Sequence, residues 1–111
     1  MYLFAYLGVA YAKEVYGKID VSYPVLIGGQ VTFKITLQRT CQQYGNWQFT
    51  FQGTRQMFYN GKETTIMKVN TTYILTLENA TSTYHRSDIL FLCDGKMVDI
   101  VTLDLVGKWI S

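Results

Sequence analysis

The chain has 111 residues, 10 basic and 8 acidic, with a net charge of +2, 49% hydrophobic and 16% charged side chains. That fits one domain around one core, and it is too apolar for a disordered tail. The charges are scattered and the chain carries one His and two Cys, which argues against a nucleic-acid footprint, an anionic-membrane footprint and a thiolate-rich or multi-His metal centre.

Tyr2 to Ala12 is an apolar run that ends in Ala10-Tyr11-Ala12, a small-x-small pattern. It reads either as the end of a signal peptide or as a first β-strand, since Tyr, Leu, Phe and Val suit strands. It is too short to cross a bilayer, which takes about 20 residues. Residues 13–111 then form the domain, and any membrane anchor is expected outside this chain. Val15 to Ile27 holds one or two strands interrupted by Gly17 and Pro24. Pro24 belongs at an edge or a kink, because it has no N–H to give to a ladder.

Gly28-Gly29 turns the chain into the first clear strand. There Val31, Phe33, Ile35 and Leu37 alternate with Thr32, Lys34, Thr36 and Gln38, so one face is buried and the other wet. Trp47, Phe49 and Phe51 alternate with Gln48, Thr50 and Gln52 in a second strand, which Gly53 ends. Met57-Phe58-Tyr59 meets Asn60-Gly61, which predicts a hairpin because both residues tolerate positive φ. Thr65 to Val69 is a short strand. Tyr73, Leu75 and Leu77 alternate with Ile74, Thr76 and Glu78 in another. Asn79 to Ser87 is polar and reads as a crossing loop. Asp88 to Cys93 is apolar on both faces, Asp94-Gly95 predicts a second hairpin, and Met97 to Val106 is the last strand. Asp99 shares the parity of Met97 and Val101. Either it lies at the strand end or a bulge resets the register.

About eight or nine short strands separated by turns predict an all-β sandwich. A small barrel ranks second, since enclosing a ligand would need a longer chain. The sequons Asn70-Thr71-Thr72 and Asn79-Ala80-Thr81 make Asn70 and Asn79 candidate glycosylation sites. Cys41 and Cys93 are either a disulfide or two buried thiols. A bridge would close a loop of roughly 50 residues, worth about 4 kcal/mol in chain entropy. Sequons and an even Cys count favour the bridge and an extracellular setting.

Taken in order, these segments resemble an immunoglobulin domain of variable type over roughly residues 15 to 106. Gly28-Gly29-Gln30-Val31-Thr32-Phe33 is similar to its second strand, and Trp47 looks like the core tryptophan of its third. Phe58-Tyr59-Asn60-Gly61-Lys62 resembles the extra hairpin of variable-type domains. Tyr73 to Ala80 is similar to the fifth strand, and Phe91-Leu92-Cys93 resembles the Tyr-x-Cys of the sixth. The second-strand cysteine is replaced by Ile35, so the usual inter-sheet disulfide cannot form. The resemblance places Cys41 and Cys93 at strand ends on one pole, which implies a displaced bridge there. The core is then expected from Ile35, Trp47, Leu75 and Phe91. Divergent variable-type domains without the standard cysteines occur in some invertebrate allorecognition and adhesion receptors, and in viral decoys; this chain looks more like the former.

No Gly-x-Ser-x-Gly, phosphate loop or Gly-x-Gly-x-x-Gly is present. His85 stands alone in a polar loop, and Asp99 and Asp104 fall on opposite faces of a regular strand. Neither an enzyme nor a cofactor is expected. Binding is the better hypothesis. If Ile89 and Phe91 point inward, Leu90 and Leu92 point outward on a central strand. Ile100 and Thr102 then join them from the next strand, and Met57 or Tyr59 from the hairpin strand. Such a patch marks a protein-binding face. The opposite sheet looks wet, with Thr32, Lys34, Thr36 and Thr76. The expected function is cell-surface recognition or adhesion by pairing with another protein, first of all a like domain. The alternative is a secreted or viral immunoglobulin-like decoy that binds a foreign protein. No nucleic-acid partner is expected.

Overall fold

The computed structural model describes residues 15–22, 29–78 and 86–103. Eight strands run through them: β1 (Asp20–Ser22), β2 (Val31–Thr36), β3 (Gly45–Phe51), β4 (Thr54–Met57), β5 (Thr64–Val69), β6 (Thr72–Leu77), β7 (Asp88–Cys93) and β8 (Lys96–Thr102). They form two four-stranded antiparallel sheets, in the orders β1-β2-β6-β5 and β4-β3-β7-β8. The chain is an all-β sandwich, compatible with an immunoglobulin-like fold.

Strand alternation decides which side chains meet between the sheets. Val31, Phe33 and Ile35 of β2 face Tyr73, Leu75 and Leu77 of β6 within the first sheet's inner layer. Trp47 of β3 and Ile89, Phe91 and Cys93 of β7 supply the inner layer of the second. All belong to one buried cluster, which includes the four residues expected in the core: Ile35, Trp47, Leu75 and Phe91. Aromatic rings knit its centre. Trp47 lies edge-on to Phe91 at 4.9 Å between centroids, Phe33 stands 6.3 Å from Trp47, and Tyr73 stands 4.9 Å from Phe91. These tilted and edge contacts suit the ring quadrupoles.

The turns explain where the chain stays in a sheet and where it leaves. Asp94 and Gly95 have φ of 52° and 85°, the left-handed pair a tight hairpin needs, and they join β7 to β8 as the sequence predicts. The Asn60-Gly61 expectation is corrected. The hairpin between β3 and β4 turns at Gln52 and Gly53, with φ of 53° and 79°. Asn60 and Gly61 instead lie where the chain crosses from the second sheet to the first. Their polar groups hold that crossing: the Ile66 N–H donates to Asn60 Oδ1 (2.7 Å) and the Gly61 N–H to the Thr64 carbonyl (2.9 Å). So Phe58 to Lys62 is not a hairpin; β4 is the strand that the second sheet adds beside β3.

Asp99 is resolved by the bulge. Phe91 pairs with Asp99 but Leu92 pairs with Met97, which leaves Val98 as the extra residue. The last strand ends at Thr102, although its ladder extends through the Leu103 N–H to the Ser87 carbonyl (2.9 Å). Residues 1–12, Pro24, Asn79, His85 and Asp104 lie outside the described residues.

Gly45 opens β3 against the ring of Phe91. A Cβ there would stand 2.6 Å from Phe91 Cζ, 3.0 Å from the Tyr73 ring and 3.2 Å from Cys41 Sγ. A Cβ on Gly61 would meet nothing within 4 Å. Gly45→Ala is therefore expected to destabilise the fold by about 1–3 kcal/mol through overpacking. Gly61→Ala is expected to be near neutral. Urea unfolding of the two variants beside the parent checks this contrast.

Candidate functional site

Two parts of the surface carry most of the features of interest: the outer face of the second sheet and the pole where the disulfide lies.

On the outer face, register places side chains in rows. Arg55, Thr50, Asp88 and Thr102 form a polar row, in which the Thr102 hydroxyl donates to Asp88 Oδ1 (2.8 Å) and the Asp88 N–H donates to Thr50 Oγ1 (3.2 Å). The next row is Met57, Gln48, Leu90 and Ile100, and beyond it come Asn46, Leu92 and Met97. Of the residues expected on this face, Ile100 is 41% exposed, Met57 is half-buried and Thr102 is exposed. Tyr59 is 71% exposed but lies past the end of β4.

Leu90 and Leu92 require a correction. They were expected to stand exposed, yet they retain 2% and 6% of their accessible surface. Their direction is as expected, since they lie outside the inter-sheet cluster. Parity gives direction and not accessibility. Both sit on the central strand β7, with cross-strand neighbours on each side: Gln48 and Ile100 for Leu90, Asn46 and Met97 for Leu92. The exposed apolar area of this face is therefore carried by Met97 (52% exposed) and Ile100 rather than by the two leucines.

At the pole, Cys41 and Cys93 are bridged, with their Cα atoms 5.5 Å apart. The bridge ties the loop between β2 and β3 to the last residue of β7, as the displaced pairing implied. Asp94, next in sequence, holds the same loop by its carboxylate. Its Oδ2 accepts the Gln42 N–H (2.7 Å), and its Oδ1 accepts those of Gln43 (2.6 Å) and Tyr44 (3.1 Å). Its own N–H donates to the Tyr44 carbonyl (3.0 Å). The Cys41 N–H of the same loop donates to the buried Tyr73 hydroxyl (3.0 Å). Loop backbone that would otherwise need water is thus satisfied by two side chains.

The amides, the Gln43 N–H foremost, hold the Asp94 carboxyl below its ordinary range, with the nearby Arg39 charge adding to them. The Asp94 clamp was missed in the sequence, where Asp94 reads only as a turn residue. The available signal was an acceptor directly after a cysteine and facing a loop rich in polar residues.

Two clefts flank this loop. One, of about 390 Å³, is walled by Val15, Tyr16, Arg39, Gln42, Lys96 and Met97 among others. The second, of about 380 Å³, includes Tyr44, Met67, Lys68 and Tyr73. Lys68 Nζ stands 5.7 Å from the centroid of the Tyr73 ring. Among the described residues no cluster of three or more His, Cys, Asp or Glu side chains could hold a metal ion. Among those residues, too, no helix is long and apolar enough to cross a membrane.

Asn70 occupies the turn between β5 and β6, exposed, with φ of 57°. It lies at the same pole, since the Leu37 N–H donates to the adjacent Thr71 carbonyl (2.9 Å). Comparison with protein-family models gives no match, and comparison with curated proteins gives none either.

The clamp has a pH signature. A carboxyl depressed on folding adds stability above its unfolded pKa, and that stability is lost as pH falls through the folded value. Urea midpoints measured from neutral to strongly acidic pH are expected to fall further for the parent than for Asp94→Asn. The gap between the two proteins should close at the acid end, below the ordinary carboxylate range.

Proposed function

We propose that this chain is an extracellular recognition domain of variable immunoglobulin type, which pairs with another protein through the outer face of its second sheet. A second copy of a like domain is the first partner. The observation that carries the reading is the exposed apolar surface of Ile100, set in a row with Met57, Gln48 and the buried Leu90 that crosses all four strands without a charged residue. Met97 adjoins it, and the charges Arg55 and Asp88 stand in the row beside it. An apolar centre with a polar margin is the anatomy of a protein interface.

The outer face of the first sheet contrasts with it. Thr32, Thr76 and Thr65 form one row there, and Asp20 and Lys34 stand in the next. Met67 and Val69 are the exposed apolar side chains of that face, both on the edge strand β5. The disulfide supports an oxidising compartment. The variable-type reading and the likeness to invertebrate allorecognition and adhesion receptors rest on the order of Ile35, Trp47 and Phe91-Leu92-Cys93, with Ile35 where such domains usually carry a cysteine. They add surface display to the reading.

An antiparallel sheet face presents the same rows to a twofold-related copy, which makes self-pairing natural. Sedimentation over a wide concentration series is expected to show a reversible dimer, and Ile100→Asp is expected to abolish it. The substitution is at an exposed strand position, and its folding is checked by circular dichroism. A parent protein that stays monomeric throughout would remove self-pairing and leave a foreign partner, as for a decoy.

In the same setting Asn70 carries a glycan. The protein secreted from a eukaryotic cell is expected to lose mass on glycosidase treatment, and Asn70→Gln should abolish the loss attributable to that site.

A further inference from the structure

We infer that Asn60 is a self-modification site: its side-chain amide is lost through attack by the Gly61 nitrogen, at a pace the fold sets. Asn60-Gly61 reads as a turn in the sequence, yet it serves the crossing from the second sheet to the first, and both residues are exposed. Asn60 takes no part in the proposed pairing row.

The chemistry needs only base and water. The Gly61 nitrogen bonds to Asn60 Cγ, the Cγ–Nδ2 bond breaks, and Nδ2 leaves as ammonia with the proton that Gly61 gave up. Water then opens the five-membered imide at either carbonyl, which gives aspartate or isoaspartate. Glycine is the least hindered residue to follow the asparagine, because it has no Cβ and its backbone turns freely. A Cβ on Gly61 would meet nothing within 4 Å, so no neighbour crowds that side.

Two hydrogen bonds act on the step in opposite senses. The Ile66 N–H donates to Asn60 Oδ1 at 2.7 Å, and that oxygen takes up negative charge when Cγ is attacked. A donor already in place there favours the step, as an oxyanion hole does. The Gly61 N–H is itself committed to the Thr64 carbonyl at 2.9 Å, which restrains the nucleophile. Attack therefore waits for this corner to open, and local opening costs less than global unfolding.

The other described asparagines lack the combination. Asn46 and Asn70 precede Trp47 and Thr71, whose side chains hinder the attacking nitrogen. Asp94-Gly95 has the glycine, but the Asp94 carboxylate is bonded to three loop amides, and an ionised carboxylate resists a nucleophile. Conversion of Asn60 lowers the net charge of +2 by one, at an exposed corner between the sheets.

The test incubates the folded protein at neutral and at mildly alkaline pH and follows its peptides by mass spectrometry. The mass gain of an amide-to-acid exchange is expected in the Asn60 peptide ahead of those carrying Asn46 and Asn70, faster at the higher pH, with isoaspartate among the products. Gly61→Ala, at a position with room for the methyl, should slow the gain about tenfold. A free peptide of residues 58–65 should convert about tenfold faster than the protein, since nothing there holds the Gly61 N–H. Asn60→Asp should show no gain and keep the parent's urea midpoint, because its carboxylate still accepts the Ile66 N–H. No gain at Asn60 after many lifetimes of the free peptide, an unchanged rate in Gly61→Ala, or equal rates in protein and peptide would overturn the inference.

Discussion

The contact between the Phe91 ring and the bare backbone of Gly45 is the constraint on which the rest of this structure depends. Phe91 is fully buried, and its ring lies where any side chain at residue 45 would have to begin. Because that space is empty, β3 can start close beside β7, and Trp47 can turn its edge to Phe91 two residues later. Tyr73 reaches the same spot from the other sheet, stacks obliquely on Phe91 and offers its hydroxyl to the Cys41 amide. The disulfide is thus seated on an aromatic cluster that spans both sheets. Ile35 lies fully buried among the apolar side chains of the same core, and the rings supply much of the cohesion there.

The indole N–H of Trp47 shows what that arrangement costs. It is buried and finds no acceptor among the described residues. An unmet donor of this kind costs about 1–3 kcal/mol. The surrounding contacts must exceed it, and they do so by area. Trp47, Phe33 and Phe91 are each sealed from solvent, and burying one large apolar side chain is worth about 1.5–3 kcal/mol.

Much of this was legible in the sequence, for a physical reason. Period-two alternation of Val31 to Leu37 and of Tyr73 to Glu78 reports which face is dry, and the buried residues follow it without exception. Asp94-Gly95 reads as a turn because both residues accept left-handed backbone. Gln52 carries no such signal, yet it takes φ of 53° beside Gly53. Asn60-Gly61 carries the strong signal but spends it on a crossing between sheets. Turn propensity is local, whereas the sheet a strand joins is decided by packing on both sides of it. The same limit applies to Leu90 and Leu92. Alternation gave their direction, but their accessibility depends on neighbours across the sheet, which single-strand parity does not encode.

The disulfide pole combines two restraints of different chemistry on one short loop. The Cys41–Cys93 bridge fixes the loop covalently and is indifferent to pH, while the Asp94 carboxylate fixes the next three residues electrostatically and is indifferent to reductant. Together they hold successive positions from Cys41 to Tyr44, the same loop that separates the two clefts. A loop already fixed loses little conformational freedom when something binds against it, so less of the contact energy is spent on ordering. Two independent restraints on the same few residues, with the sheets' own packing beneath them, make this end of the sandwich a rigid tip rather than a trailing connection.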